Sequence, residues 1–226
     1  MVLADRATRR YLGATVVSST GDWLYSVAVV VWLYDQTGST GVVAAAASLR
    51  LAAYVVASPI GGVLGDRHDR RRLVVGLNLA LLAVLAVLTV AVGLDAPAAL
   101  VVAGTVVVST LAALYNPPMF ALVPQLVDED SLGPVNAAVA TVEQVSMFAG
   151  PALGSVLVAL TSVAFTFAVN AASFLAAALL LAGVTLRRGA AVAPVHTGGP
   201  EEQPSGQGRT SATRAFVEGL SAVRQS

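Results

Sequence analysis

The 226 residues contain no cysteine and no lysine, only two histidines, and only 12% charged side chains. Without cysteine there is no disulfide framework, zinc knuckle or thiol chemistry. The histidines, His68 and His196, both fall in connecting segments. No serine–base pair, metal-ligand cluster or paired-carboxylate constellation accompanies them, which disfavours an enzyme. Soluble domains carry about 25% charged residues. At 12% charged, with 56% hydrophobic residues and a mean hydropathy of +0.78, this composition excludes that class.

What is present is long apolar sequence. Six stretches, approximately 11–34, 41–64, 73–93, 98–123, 136–159 and 163–186, reach the roughly 20 residues needed to cross a hydrocarbon core about 30 Å thick. They are rich in Ala, Gly, Val and Leu, which suits close helix–helix packing through small side chains. A β-barrel would show much shorter alternating segments. The reading is an all-α, polytopic membrane protein whose lipid partner is the bilayer itself. The first stretch has no small-residue cleavage site at a suitable distance, so it is expected to remain as a span.

Of the 13 arginines, only Arg50 lies inside a stretch. Arg6, Arg9 and Arg10 precede the first; Arg67, Arg70, Arg71 and Arg72 lie between the second and third; Arg187, Arg188 and three more follow the sixth. The positive-inside rule therefore places both ends of the chain in the cytoplasm. The acidic connection Asp128–Asp130 falls on the same side by parity and does not disturb this, because acidic residues contribute little to orientation. The Arg67–Arg72 cluster reads as a topology anchor and not as a nucleic-acid site.

The six spans group as three plus three, the arrangement of inverted repeats in many carriers. A faint echo accompanies it: Arg50, Pro59, Gly61 and Gly62 in the second span against Glu143, Pro151 and Gly154 in the fifth. Residues 189–213, rich in Gly, Pro, Ser and Thr, read as a cytoplasmic linker. Phe216, Leu220 and Val223 then recur at helical spacing, as in a short amphipathic helix.

Polar residues inside the spans need a reason, since an unpaired charge at mid-depth costs about 2.5–3.5 kcal/mol even on insertion scales. Asp22 and Arg50 fall near the same depth and are expected to pair, directly or across a polar cavity. Asp22 has two further readings, proton uptake during transport and contact with a cationic substrate. Glu143, followed by Gln144 and Ser146, reads either as a structural pair or as a participant in proton or cation movement. Asn170 reads as a helix–helix hydrogen bond or a ligand contact. Trp32 and Tyr34, at the outer end of the first span, suit interfacial anchoring; Trp23 and Tyr25 are too deep for that. Pro59, Pro117, Pro118 and Pro151 are expected to kink their helices, with Gly150 and Gly154 beside Pro151 shaping either gates or static bends.

The sharpest local pattern is Gly61-Gly62-Val63-Leu64-Gly65-Asp66-Arg67-His68-Asp69-Arg70-Arg71-Arg72, a tight arginine-rich turn between two spans. It resembles the major facilitator superfamily signature Gly-x-x-x-Asp-Arg-x-Gly-Arg-Arg, with Gly62, Asp66, Arg67, Arg70 and Arg71 in register. Asp69 stands where the signature has glycine, which would make the turn less permissive. Gly21-Asp22-Trp23, Ser58-Pro59-x-Gly61-Gly62, Pro124-Gln125-Leu126, Asn136-Ala137 and Gly150-Pro151-x-x-Gly154 extend the likeness. They are similar to bacterial drug and siderophore exporters of the enterobactin-exporter and macrolide-efflux branch.

The resemblance implies a six-helix half of a rocking-bundle carrier in a bacterial inner membrane. It also implies efflux of an amphipathic small molecule, driven by proton entry and needing no bound cofactor. By the same analogy Gly62, Asp66, Arg67, Arg70 and Arg71 contribute to a cytoplasmic gate, and Asp22 leads the coupling or substrate candidates. Such carriers have about twelve helices, so the chain is expected to be an N-terminal half whose partner is a missing C-terminal half or a second copy. The rival class is a membrane scaffold or sensor that moves no solute.

Overall fold

The computed structural model describes residues 5–184, and these fold into helices with no strand among them. Six are long: α1 (Arg6–Thr37), α2 (Thr40–Arg67), α3 (Arg70–Gly93), α4 (Ala98–Phe120), α6 (Glu129–Leu160) and α7 (Val163–Ala182), with a short α5 (Val123–Leu126) between the fourth and sixth. All six long helices are apolar and long enough to cross a membrane. The linker and amphipathic segment expected over 189–226, Arg187, Arg188 and the last residues of the sixth span lie outside the described residues.

Local chemistry sets the ends. Asp5, Ser39, Asp69 and Ser162 cap α1, α2, α3 and α7 by accepting from backbone N–H groups two or three residues on, the usual satisfaction of orphan donors at a helix start. Asp69 accepts from Arg72 N at 2.8 Å with φ −60°. This turn therefore needs no glycine there, and the departure from the signature supplies a cap. Gly38 closes α1 at φ +62°, the left-handed conformation that glycine adopts without a Cβ penalty.

Several boundaries differ from those read in the sequence. α1, α2 and α3 each begin or end in their flanking arginines. α4 stops at Phe120, just after Pro117-Pro118, and of the residues assigned to its end, Val123 opens α5. α6 starts seven residues early because Glu129 and Asp130 occupy its first turn, where negative charge is favoured by the helix dipole. α2 and α6 run on through Pro59, Pro134 and Pro151.

The main packing pairs are α1 with α6 and α7, α4 with α2 and α3, and α3 with α7; α1 barely touches α2, and α6 barely touches α7. Exchanging α1 with α4, α2 with α6 and α3 with α7 leaves this set of pairs unchanged, as a three-plus-three repeat requires. α2 and α6 exchange with each other and are the two least buried helices. Each is seated by a Gly-x-x-x-Gly pair. A Cβ on Gly61 would lie 2.7 Å from Ala113 O and 2.9 Å from Leu114 Cα, and one on Gly65 would lie 3.1 Å from Pro118 Cβ. On α6, Gly150 sits against Trp23, and a Cβ on Gly154 would lie 3.1 Å from Leu24 Cα. Small residues at this spacing let two helix backbones approach closely.

Candidate functional site

Asp22 sits near the midpoint of α1, half-buried, and accepts a hydrogen bond from Asn170 Nδ2 of α7 at 3.4 Å. Asn170 is fully buried, and its Oδ1 accepts from Ser173 Oγ at 3.0 Å. The amide is thus oriented by Ser173 and presents its donor to the carboxylate. Of the two readings for Asn170, the structure displays the helix–helix hydrogen bond.

Of the two pairings expected of Asp22 and Arg50, the direct ion pair does not form among the described residues. Arg50 instead donates from Nε to Ser109 Oγ of α4 at 3.3 Å, and its guanidinium carbon stands 5.5 Å from the centroid of the Tyr25 ring, within cation–π range. The physical reason is the packing order. α1 and α2 are neighbours in sequence but scarcely touch, while α2 lies along α4. Tyr25 is itself held edge-to-face against Phe167 at 4.9 Å.

Glu143 and Asp22 share one cleft. Because α6 begins at Glu129, Glu143 lies near the middle of that helix. It and Asp22 line one open cleft of about 340 Å³, together with Ser19, Trp23, Asn116, Gln144 and Met147 from α1, α4 and α6. Asn116, which sequence reasoning passed over, donates to the Tyr54 hydroxyl of α2 at 2.8 Å and so links a cleft residue to the outermost helix. The cleft therefore offers two carboxylates, two amides, a hydroxyl, an indole and a thioether to one volume between membrane-length helices. No arginine lines it.

Trp23 lines this cleft, whereas Trp32 is a core residue at 5% exposure and not an interfacial anchor. Tyr34, 50% exposed, fits the anchoring role.

At the arginine-bearing end, Arg70 ties three groups together. It donates to Asp66 Oδ1 at 3.0 Å, to Gly65 O at 3.2 Å and, across to α4's end, to Ala121 O at 3.2 Å. Asp66 is largely exposed and Arg67 is exposed. Gly62 faces open space, since a Cβ there would meet nothing within 4 Å; the close packing falls to Gly61 and Gly65 instead. Arg71 donates to Val184 O at 2.7 Å, and Arg10, not singled out from sequence, donates to Gly183 O. These two cations satisfy carbonyls of the two residues just past the end of α7, where positive charge is also favoured by the helix dipole. Among the described residues, no group of three or more metal-ligating side chains comes together.

Comparison with known proteins agrees with this architecture. "Macrolide efflux protein A" of Streptococcus pyogenes is 31% identical over 135 residues, 59% of this chain and 33% of that protein. The protein of the same name from Enterococcus faecalis is 32% identical over 105 residues, 46% of this chain and 32% of its own length. The matched segment thus spans about a third of each relative. Residues 11–225, nearly the whole chain, match the family described as Major Facilitator Superfamily. With six membrane-length helices packed as an inverted repeat and that match across its length, the chain belongs to the major facilitator superfamily.

Proposed function

We propose that this chain is one six-helix unit of a proton-driven exporter of amphipathic small molecules. It sits in a bacterial plasma membrane with its arginine-bearing end in the cytoplasm. The observation that carries the reading is the cleft that Asp22 and Glu143 line together, within membrane-length helices, while Arg50 is engaged elsewhere. Carboxylates inside a membrane are expensive and mark proton or substrate pathways. Trp23 and Met147 give the same cleft apolar surface for the body of an amphipathic molecule, and Asn116 and Gln144 give it orienting polar groups. Family membership and the names of the relatives support transport and efflux respectively.

In this mechanism Asn170 holds one oxygen of Asp22, and the carboxylate alternates between a proton taken from outside and a substrate taken from within. Asp66, Arg67, Arg70 and Arg71, with Gly62, form the cytoplasmic end that opens and closes. Pro59 and Pro151, beside the glycine seats of α2 and α6, let those helices bend as they move. A second six-helix unit closes the open side, either on the same polypeptide or as a second copy in the same orientation. The mass of the native polypeptide separates those two arrangements.

The test is efflux of ethidium and of a macrolide from vesicles holding the native polypeptide under an imposed pH gradient. Asp22→Asn and Glu143→Gln are compared with the parent. Loss of gradient-driven efflux in at least one variant, with normal membrane insertion, is expected. Full efflux from the double variant would refute the assignment and favour a scaffold or sensor.

A further inference from the structure

α6 and α7 both pack on α1 but scarcely touch each other, and a strip of α1 is left open between them. Two grooves flank this strip. One, of about 440 Å³, is lined by Val16, Thr20 and Leu24 of α1 and by Val169, Ala172 and Ala176 of α7. The other, of about 250 Å³, shares Val16 and Thr20 and continues onto Val142, Val145 and Leu153 of α6. Val16 is 43% exposed on the ridge between them.

The same face of α1 carries charge at its end. Arg9, Gly13, Val16, Thr20 and Leu24 recur at three- and four-residue spacing and so share one side of the helix, with Arg6 one turn below Arg9. Gly13 keeps the α1–α7 side shallow, and its nearest neighbour there is Leu180. Arg6 and Arg9 are exposed, and among the described residues their side chains make no hydrogen bond or ion pair. The neighbouring charges are already spoken for: Asp5 accepts from Ala7 N and Thr8 Oγ1, and Arg10 is engaged by Gly183 O. The N-terminus of α1 adds its own partial positive charge.

The lengths agree. From Arg9 to Thr20 a helix rises about 16 Å at about 1.5 Å per residue, roughly half of a hydrocarbon core about 30 Å thick. A headgroup held at Arg6 and Arg9 therefore sends its chain along the groove past Val16 and Thr20 toward Leu24.

We propose that the α1–α6–α7 face is a binding site for an anionic glycerophospholipid of the arginine-side leaflet, its phosphate on Arg6 and Arg9 and one acyl chain in the Val16–Thr20 groove. The open cleft containing Asp22 plays no part in this site, and the proposal stands apart from the transport reading. Basic residues beside a membrane helix attract anionic lipid by about 1 kcal/mol each. Neutralising both arginines therefore lowers affinity by about 30-fold.

The experiment is native mass spectrometry of the full 226-residue chain in detergent, titrated with dioleoyl phosphatidylglycerol or with phosphatidylcholine of the same chains. Phosphatidylglycerol is expected to be retained well above phosphatidylcholine. Arg6→Gln/Arg9→Gln should abolish that preference, and Ala172→Trp should weaken both lipids by filling the groove; Ala172→Leu is the milder plug should tryptophan impair folding. Arg72→Gln, which removes an exposed arginine from the α2–α3 turn, should leave the retention of both lipids unchanged. Equal retention of the two lipids, or an equal loss from the Arg72 variant, overturns the proposal. So does a lipid-free dimer, which would make a second copy the occupant of this face.

Discussion

Gly61 and Gly62 are adjacent in sequence and predict opposite outcomes when each is replaced by alanine. A Cβ on Gly61 meets backbone atoms of α4, with Ala113 O at 2.7 Å and Leu114 Cα and O at 2.9 Å. Backbone cannot rotate away as a side chain can, so α2 must lift from α4. Overpacking of this kind costs about 1–3 kcal/mol. A Cβ on Gly62 meets nothing within 4 Å. Both substitutions also gain helix propensity, about 1 kcal/mol relative to glycine in water. That gain is common to the pair and cancels when the variants are compared with each other, so the difference between them isolates the clash. At about 2–4 °C per kcal/mol for a chain of this size, Gly61→Ala should melt below Gly62→Ala by about 2–12 °C in detergent-solubilised thermal unfolding. The repeat supplies an internal replicate, because Gly154→Ala on α6 should fall below Gly133→Ala, whose position is also open. Equal melting temperatures within both pairs would refute the conclusion that these glycines seat α2 and α6 on their neighbours.

The arginine-bearing end gives a second contrast. Asp66→Asn should cost no more than about 1 kcal/mol, as for any exposed pair, whereas Arg70→Gln, which also abandons Gly65 O and Ala121 O, should cost about 1.5–3 kcal/mol; chemical-denaturant unfolding in mixed micelles ranks the two. Arg71→Gln should destabilise by a similar amount by releasing Val184 O, while exposed Arg72→Gln should stay within about 0.5 kcal/mol of the parent, and inverted order in the same assay would discount the capping role. Trp32→Ala should cost about 3–5 kcal/mol as a core truncation, against little for Tyr34→Ala; a larger loss at Tyr34 would restore interfacial anchoring as the role of both.

The helices were legible because apolar length is a property of each segment alone. Capping was legible for a similar reason, since Ser39, Asp69 and Ser162 act on residues two or three away. What the sequence withheld was which segments touch. Asp22 and Arg50 looked like partners because they sit at one depth on consecutive spans, yet consecutive spans here are poor neighbours, and Arg50 found Ser109 and Tyr25. The Gly61–Gly65 and Gly150–Gly154 spacings were readable and would have located the two seats, but the match of Gly62 to a known motif drew attention one residue aside. Asn116 gave no local sign at all. It reaches the cleft because α4 crosses α2 where Tyr54 lies, a fact of tertiary packing.

The packing order also sets a timetable for assembly. α1 meets its chief partners only when α6 and α7 exist, and α2 has little to hold until α4 arrives. Roughly 90 residues separate the end of α1 from the start of α6, about 5–20 s of synthesis at about 5–20 residues per second. Through that interval α1 stands in lipid with Asp22 lacking its Asn170 partner and with the glycine seats of α6 not yet made. The nascent chain is thus exposed to quality control until α6 and α7 emerge, and substitutions in α6 or α7 should be felt first as failures of α1 to stay put.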